Sequence, residues 1–190
     1  VGCHSYGEHQ RFLLKDYIDL FNFDDEIDIE GMDFADGYLW LTGSHSTKRK
    51  KPKKDDLVEN LERIATITTD LNRFILARIP VVNGKLVKSF TPQEDTSFTA
   101  ACIETTKERN ILFETLKEDR HLKPFIEMSI PSKDNGLDIE GLAFKDGRLF
   151  LGLRGPVLRG WAVILELELI ETAAGVLELK EINDDGAKYK

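Results

Sequence analysis

With 190 residues the chain is long enough to bury a core without disulfide or metal staples. Its 34 acidic against 26 basic side chains leave a net charge of −8, which disfavours nucleic acid as a partner. No run of about eighteen apolar residues is present to cross a membrane; the longest, Trp161 to Leu165, is a strand. Cys3 and Cys102 are too few for a disulfide scaffold and lack Cys-x-x-Cys spacing, so both read as unpaired thiols.

The chain opens at Val1 with no signal-peptide pattern, which favours the cytoplasm and leaves the periplasm open. Residues 1–25 read as the end of a preceding repeat, with Arg11 to Leu20 as a strand or short helix. A first unit spans 26–90. Its first strand is Gly31–Ala35 and its second Tyr38–Thr42, which is apolar on both faces and so belongs between two layers. A helical insert over 45–72 follows. It begins with the basic run Lys48 to Lys54 and holds a helix over 55–66, capped by Asp55 or Asp56, with Leu57, Leu61, Ile64 and Ala65 on one face. Strands over Arg73–Val81 and Lys85–Phe90 flank Asn83-Gly84, a type I′ hairpin signal. Residues 91–135 form a second helical excursion, in which Thr105 and Glu108 fit a capping box for a helix over 105–118.

A second unit spans 136–184, with strands at Leu142–Phe144, Arg148–Leu153, Ala162–Leu169 and Val176–Ile182. Its opening repeats the first. Asp28-Ile29-Glu30-Gly31 to Leu41 returns as Asp138-Ile139-Glu140-Gly141 to Leu151 at an offset of 110, with nine of fourteen pairs identical. Each copy has an acidic start, a strand, an Asp-Gly turn and a second strand. Early strands that are apolar throughout, followed by strands with one wet face, describe a β-propeller blade. The expected fold is therefore all-β with helical insertions, built from propeller-like four-stranded antiparallel blades in a partial ring. A two-sheet sandwich is the alternative. A ring needs about four to eight blades, so the chain is an excised part of a ring or its copies assemble as a homo-oligomer.

Four groups could do chemistry. Asp28 with Glu30, and Asp138 with Glu140, stand at the mouths of the two first strands, where convergent carboxylates suit Ca²⁺ or Mg²⁺. The competing reading is that they cap backbone amides or pair with bases. Ser44, His45 and Ser46 with Lys48 and Arg49 could hold a phosphate or carboxylate, and Arg154 supplies a cation at the matching end of the second unit. His45 could do acid–base work. The plainer reading is a polar loop whose basic run serves as intramolecular counter-charge. His4, His9 and His121 have no partner spacing and read as surface residues; Trp40 and Phe150 read as core.

These residues carry a resemblance. Asp28-Ile29-Glu30-Gly31, Gly43-Ser44-His45-Ser46 with Lys48-Arg49-Lys50, and Asp138-Ile139-Glu140-Gly141-Leu142-Ala143 with Gly152-Leu153-Arg154-Gly155-Pro156 resemble a bacterial family of uncharacterised proteins, a domain of unknown function. In its Glu-Gly-Leu strand that family is similar to phytase-like (esterase-like) propellers. The resemblance covers residues 26–169 and implies a propeller-type fold within a longer parent domain. It implies no established activity. Phytase-like relatives bind calcium through acidic residues near such strands and cleave phosphoesters, which would fall here on Glu30 and Glu140. The dense acidic loops of a multi-calcium phosphatase are missing.

The expected function is binding of a small anionic molecule, with or without a divalent cation, at a channel mouth. As an enzyme the chain would be a metal-assisted hydrolase of a phosphoester or ester, with His45, Glu30 and Glu140 as catalytic groups. The alternative is a non-catalytic scaffold that recruits a protein through the helices over 55–66 and 105–118.

Overall fold

The computed structural model describes residues 10–23, 27–53, 55–93, 96–183 and 186–190. Cys3, His4, His9, Lys54 and the expected start of the first unit at Glu26 lie outside them.

The repeat forms the same hairpin twice. Strands β1 (Ile29–Ala35) and β2 (Tyr38–Gly43) turn at Asp36-Gly37, where both residues adopt positive φ, 52° and 80°. After the short pair β3 (Lys48–Arg49) and β4 (Ile67–Thr68), the first unit continues with β5 (Leu76–Val82) and β6 (Lys85–Leu86). The hairpin β7 (Ser89–Gln93) and β8 (Thr96–Thr99) and the short β9 (Ala101–Ile103) follow. The second hairpin is β10 (Asp138–Lys145) and β11 (Arg148–Leu158), with Asp146 and Gly147 at 53° and 79°. The registers match across the offset: Met32 opposes Leu41 as Leu142 opposes Leu151. The chain ends with β12 (Trp161–Leu167), β13 (Leu169–Ala173) and β14 (Val176–Leu179).

Neither unit closes as an isolated four-stranded sheet. The main sheet has seven strands in the order β1-β2-β5-β9-β14-β13, with β6 on β5, and the second has three, β10-β11-β12. The expected fourth strand of the first unit is cut short at Leu86, and β9 takes the place beside β5. The expected fourth strand of the second unit leaves its own sheet and pairs parallel with β9. Burial accounts for this: β9 is fully internal and needs a partner on its free edge, and β14 brings Leu177 and Leu179, both buried. Among the described residues the sheets do not close into a barrel or ring.

The main sheet is covered on both faces, which explains why β2 is apolar on both sides. Trp40, Leu76, Ile103 and Leu177 face the second sheet and helix α2 (Ile111–Lys117). Leu41, Ala77 and Ile79 face the N-terminal segment through Ile18. That segment is a 3-10 turn at Leu14–Asp16 rather than a strand. Trp40 stacks on Phe144 at 4.6 Å, tying the sheets together.

Helix α1 (Leu57–Ala65) forms as its spacing indicates. The Asp56 carboxylate caps the amides of Val58 and Glu59. Its apolar side is nevertheless in solvent, with Leu57 74 % exposed. The capping box at Thr105 does not form. A tight turn at Thr106 to Arg109 delays the helix, and the Asn110 side chain caps it by accepting from Phe113 N at 2.9 Å. Helix α3 (Lys123–Glu127) completes the excursion. No described helix is long and apolar enough to cross a membrane.

The first strands of the repeats lie against each other. A Cβ on Gly31 would come within 2.9 Å of Leu142 Cβ, so the backbones approach more closely than any side chain permits. Asp33 pins the contact by accepting from Phe144 N at 2.7 Å.

Candidate functional site

Because β1 and β10 abut with their acidic starts at the same end, all four repeat carboxylates enter one cluster. Asp28 pairs with Arg73 at 2.5 Å. Arg154 bridges Asp138 and Glu140, at 2.7 Å to the latter. The Glu30 carboxylate has no hydrogen bond or ion pair with any described residue, yet it lies within the field of Asp28 and Glu140 as well as of Arg73 and Arg154. Four carboxylates against two guanidiniums leave two negative charges in excess when all are ionised.

Burial, then the neighbouring Asp28 and Glu140 carboxylates, raise the proton affinity of Glu30 above the usual range. Asp138 is 2 % exposed, and burial pushes its carboxyl up to about 6 although Arg154 and Arg73 pull the other way. A carboxyl enclosed this far needs its guanidinium partner.

The hydroxyl–imidazole element goes elsewhere. Ser44, His45 and Ser46 are all buried. His45 is 0 % exposed, and both ring nitrogens are committed. Nδ1–H donates to Gly43 O at 3.1 Å, and Nε2 accepts from Asn110 Nδ2 at 3.0 Å. Those partners specify the neutral ring, and burial holds its pKa down at about 4. His45, expected as an acid–base and anion-facing group at a channel mouth, is instead buried, and its ring is an internal tie between β2 and the cap of α2. Ser46 Oγ donates to Ser44 Oγ at 3.0 Å and accepts from Arg73 Nη2 at 3.0 Å, so Ser46 adjoins the acidic cluster while Ser44 supports it from behind.

The basic run is spent on neighbours. Arg49 pairs with Asp134 at 2.6 Å and donates to Ile64 O; Lys48 and Lys53 face Asp70 and Glu59. Lys48 and Arg49 thus do not converge on Glu30 or Glu140, because nearby carboxylates already neutralise them. Arg154 does reach the cluster, as a partner of its carboxylates. Among the described residues no three His, Cys, Asp or Glu side chains are grouped as ligands of a metal ion. Arg73 and Arg154 hold the carboxylates of Asp28, Asp138 and Glu140, and Glu30 alone of the four carries no such partner among the described residues.

Sequence reasoning missed Arg73 and Asn110. Neither sits in a motif. Arg73 lies within a 3-10 turn at Leu71–Phe74, at the position where the sequence reading starts a strand, and this turn sends its side chain to Asp28.

A family model described as a protein of unknown function, DUF3616, matches residues 1–190. The chain belongs to the DUF3616 family. Neither a curated protein nor a solved structure matches it. The DUF3616 assignment carries no activity with it, so the chemistry of this member rests on the cluster itself.

Proposed function

We propose that the two repeats are neighbouring blades of a propeller-like arrangement, and that this DUF3616 protein binds a small molecule bearing a cationic group at the rim where their acidic starts meet. The observation that carries this reading is the unpaired Glu30 carboxylate. In the second repeat Arg154 clamps the acidic pair. At the offset of 110 its counterpart in the first repeat is Ser44, so Glu30 has no arginine of its own. Arg73 closes its ion pair with Asp28 and gives another nitrogen to Ser46 Oγ. An ammonium or guanidinium placed against Glu30 would complete the pattern and neutralise half of the excess charge. The anionic ligand expected from sequence loses support, because His45 and Arg49 face other partners. A metal-assisted hydrolase would have to draw the carboxylates away from Arg73 and Arg154 before a cation could be chelated.

The test is thermal shift and calorimetry with propylguanidine, propylamine and CaCl₂ in parallel, on the wild type, Glu30→Gln and Lys50→Gln. Stabilisation by the organic cations, lost in Glu30→Gln and kept in Lys50→Gln, is the expected result. A response to CaCl₂ alone would restore the metal reading. No response to any of the three would remove the rim as a cation site.

A second reading rests on α1, whose apolar face of Leu57, Leu61 and Ile64 stands in solvent. It would make the protein a scaffold that docks a partner there. The face of α2 is buried through Leu112, Phe113 and Leu116 and cannot serve. Leu57→Ser with Leu61→Ser abolishes docking on the scaffold reading and leaves the cation response intact on the first.

A further inference from the structure

Among the described residues eight other than glycine adopt positive φ. Asp36, Asn83, Asp146 and Arg159 each precede a glycine in a tight turn, and Asn135 ends a 3-10 turn. The remaining three are His45 at 52°, Arg109 at 83° and Ser129 at 49°. All three line one small cavity, together with Ser46, Thr47 and Phe113. Left-handed backbone at such residues is costly and persists where the surroundings impose it. Here it directs three side chains from separate segments to one place.

Arg109 is the unusual member. The turn that holds it is closed by Thr106 N donating to Arg109 O at 2.6 Å and Arg109 N donating to Thr106 O at 3.0 Å. Its guanidinium lies 4.3 Å from the ring centre of Phe113 and 5.4 Å from that of Phe74. Its Nε is buried without a partner, and among the described residues no carboxylate closes an ion pair with it. Glu114, the acid whose field reaches it, pairs with Lys117. Arg73, Arg78, Arg148 and Arg154 all have acidic partners. A desolvated guanidinium resting on aromatic faces presents its outer nitrogens to an incoming anion. The Ser129 hydroxyl supplies a further donor at the same wall, while Thr47 Oγ1 donates to the carbonyls of Ser129 and Ile130 and holds that wall in place.

We propose that this cavity is a binding site for the carboxylate group of a small organic acid, clamped by Arg109. The cavity holds about 10 Å³ of free space, room for one oxygen-sized atom. One carboxylate oxygen enters it, the second stays against the outer guanidinium nitrogens, and the rest of the acid lies at the mouth. A planar carboxylate matches the guanidinium fork in two parallel hydrogen bonds; a tetrahedral phosphate would have to bring its additional oxygens past the Phe113 wall. The site meets the acidic rim only through Ser46, which donates nothing to the rim, and it uses none of the rim carboxylates.

The experiment is an NMR titration of the amides of Ser46, Thr47, Arg109 and Ser129 with sodium acetate, run against equal sodium chloride and sodium phosphate. Wild type, Arg109→Met, Ser129→Ala and Arg49→Met are compared. Met keeps the apolar stem on the phenyl rings. The expected result is saturable shifts with acetate that weaken about tenfold or more in Arg109→Met, the scale of a lost charge-assisted hydrogen bond, weaken less in Ser129→Ala, and persist in Arg49→Met. Equal response to chloride or phosphate would overturn the assignment to a carboxylate. Unchanged acetate binding in Arg109→Met, or no saturable response in the wild type, would overturn the site. If Arg109→Met fails to fold, unchanged acetate binding in Ser129→Ala does the same.

Discussion

Acidification sets two buried groups against each other. His45 titrates at 6.5 unfolded and at about 4 folded. Between those values the unfolded chain binds more protons, so stability falls with pH by about 1.4 kcal/mol per unit, or roughly 3 kcal/mol across the window. Asp138 has the opposite sign. Its carboxyl moves from 3.8 to about 6 on folding, so over that window the folded chain binds more protons and acidification favours it, again by roughly 3 kcal/mol. The two contributions nearly cancel between pH 6 and pH 4 in the wild type, whatever the remaining carboxylates add in common. Removing either group exposes the other. His45→Asn keeps a residue that tolerates positive φ and should gain stability relative to the wild type as pH falls from 7 to 4.5. Asp138→Asn should lose it over the same range. Urea denaturation at half-unit pH steps measures both, read as the difference between variant and wild-type slopes. Identical slopes for His45→Asn and the wild type would show that the ring is not held neutral by burial, and the account of its internal role would fail with it.

Two further outcomes test the framework around the candidate sites. Asn110→Ala removes the cap of α2 and leaves His45 Nε2 without a donor, while Phe74 O keeps the Thr105 hydroxyl. A cap costs about 1 kcal/mol and a stranded buried acceptor about 1–3 kcal/mol, so chemical denaturation should show a loss of roughly 2 kcal/mol or more. Gly136→Ala would place a methyl group 1.8 Å from the Ile130 carbonyl oxygen. The backbone cannot yield that far, so this variant should fail to give the dispersed amide spectrum of the wild type.

The hairpins were legible because Asp-Gly imposes positive φ at two successive positions, a constraint local enough to read from a dipeptide. The convergence of four carboxylates was legible from the repeat, since equal hairpins meeting at their first strands carry equal corners to one end. The swap of β14 into the main sheet was not legible. It is decided by β9, three residues long, whose pairing edges become visible only once Ala77 and Cys102 stand opposite each other. His45 misled for a related reason. A Ser-His-Ser segment followed by six cations reads as a wet loop, yet its partner Asn110 is 65 residues away, and no local pattern announces such a contact. Arg73 and Arg109 share this blindness: a single arginine in a polar stretch is uninformative until the fold shows which of the two has an acid beside it.

A duplicated hairpin by itself predicts a symmetric rim, with each acidic pair held by its own base. Symmetry of that kind would leave nothing for a ligand, because every charge would be neutralised within the chain. The two copies differ where it matters. Arg154 stands on the strand end of the second copy, and Ser44, at the equivalent place in the first, is buried. The first copy borrows Arg73 for Asp28 and leaves Glu30 unmatched. The backbone at 44 accepts Ile139 N at 2.9 Å, and the Ser44 hydroxyl, which an arginine would lack, accepts from Ser46 in a space closed to solvent. Placing Arg at 44 would therefore not simply restore the missing clamp. It would force a guanidinium into the joint between the repeats. The unmatched charge at Glu30 is thus a consequence of how the two hairpins pack, and the rim keeps an open acidic position for as long as Ser44 has to remain inside.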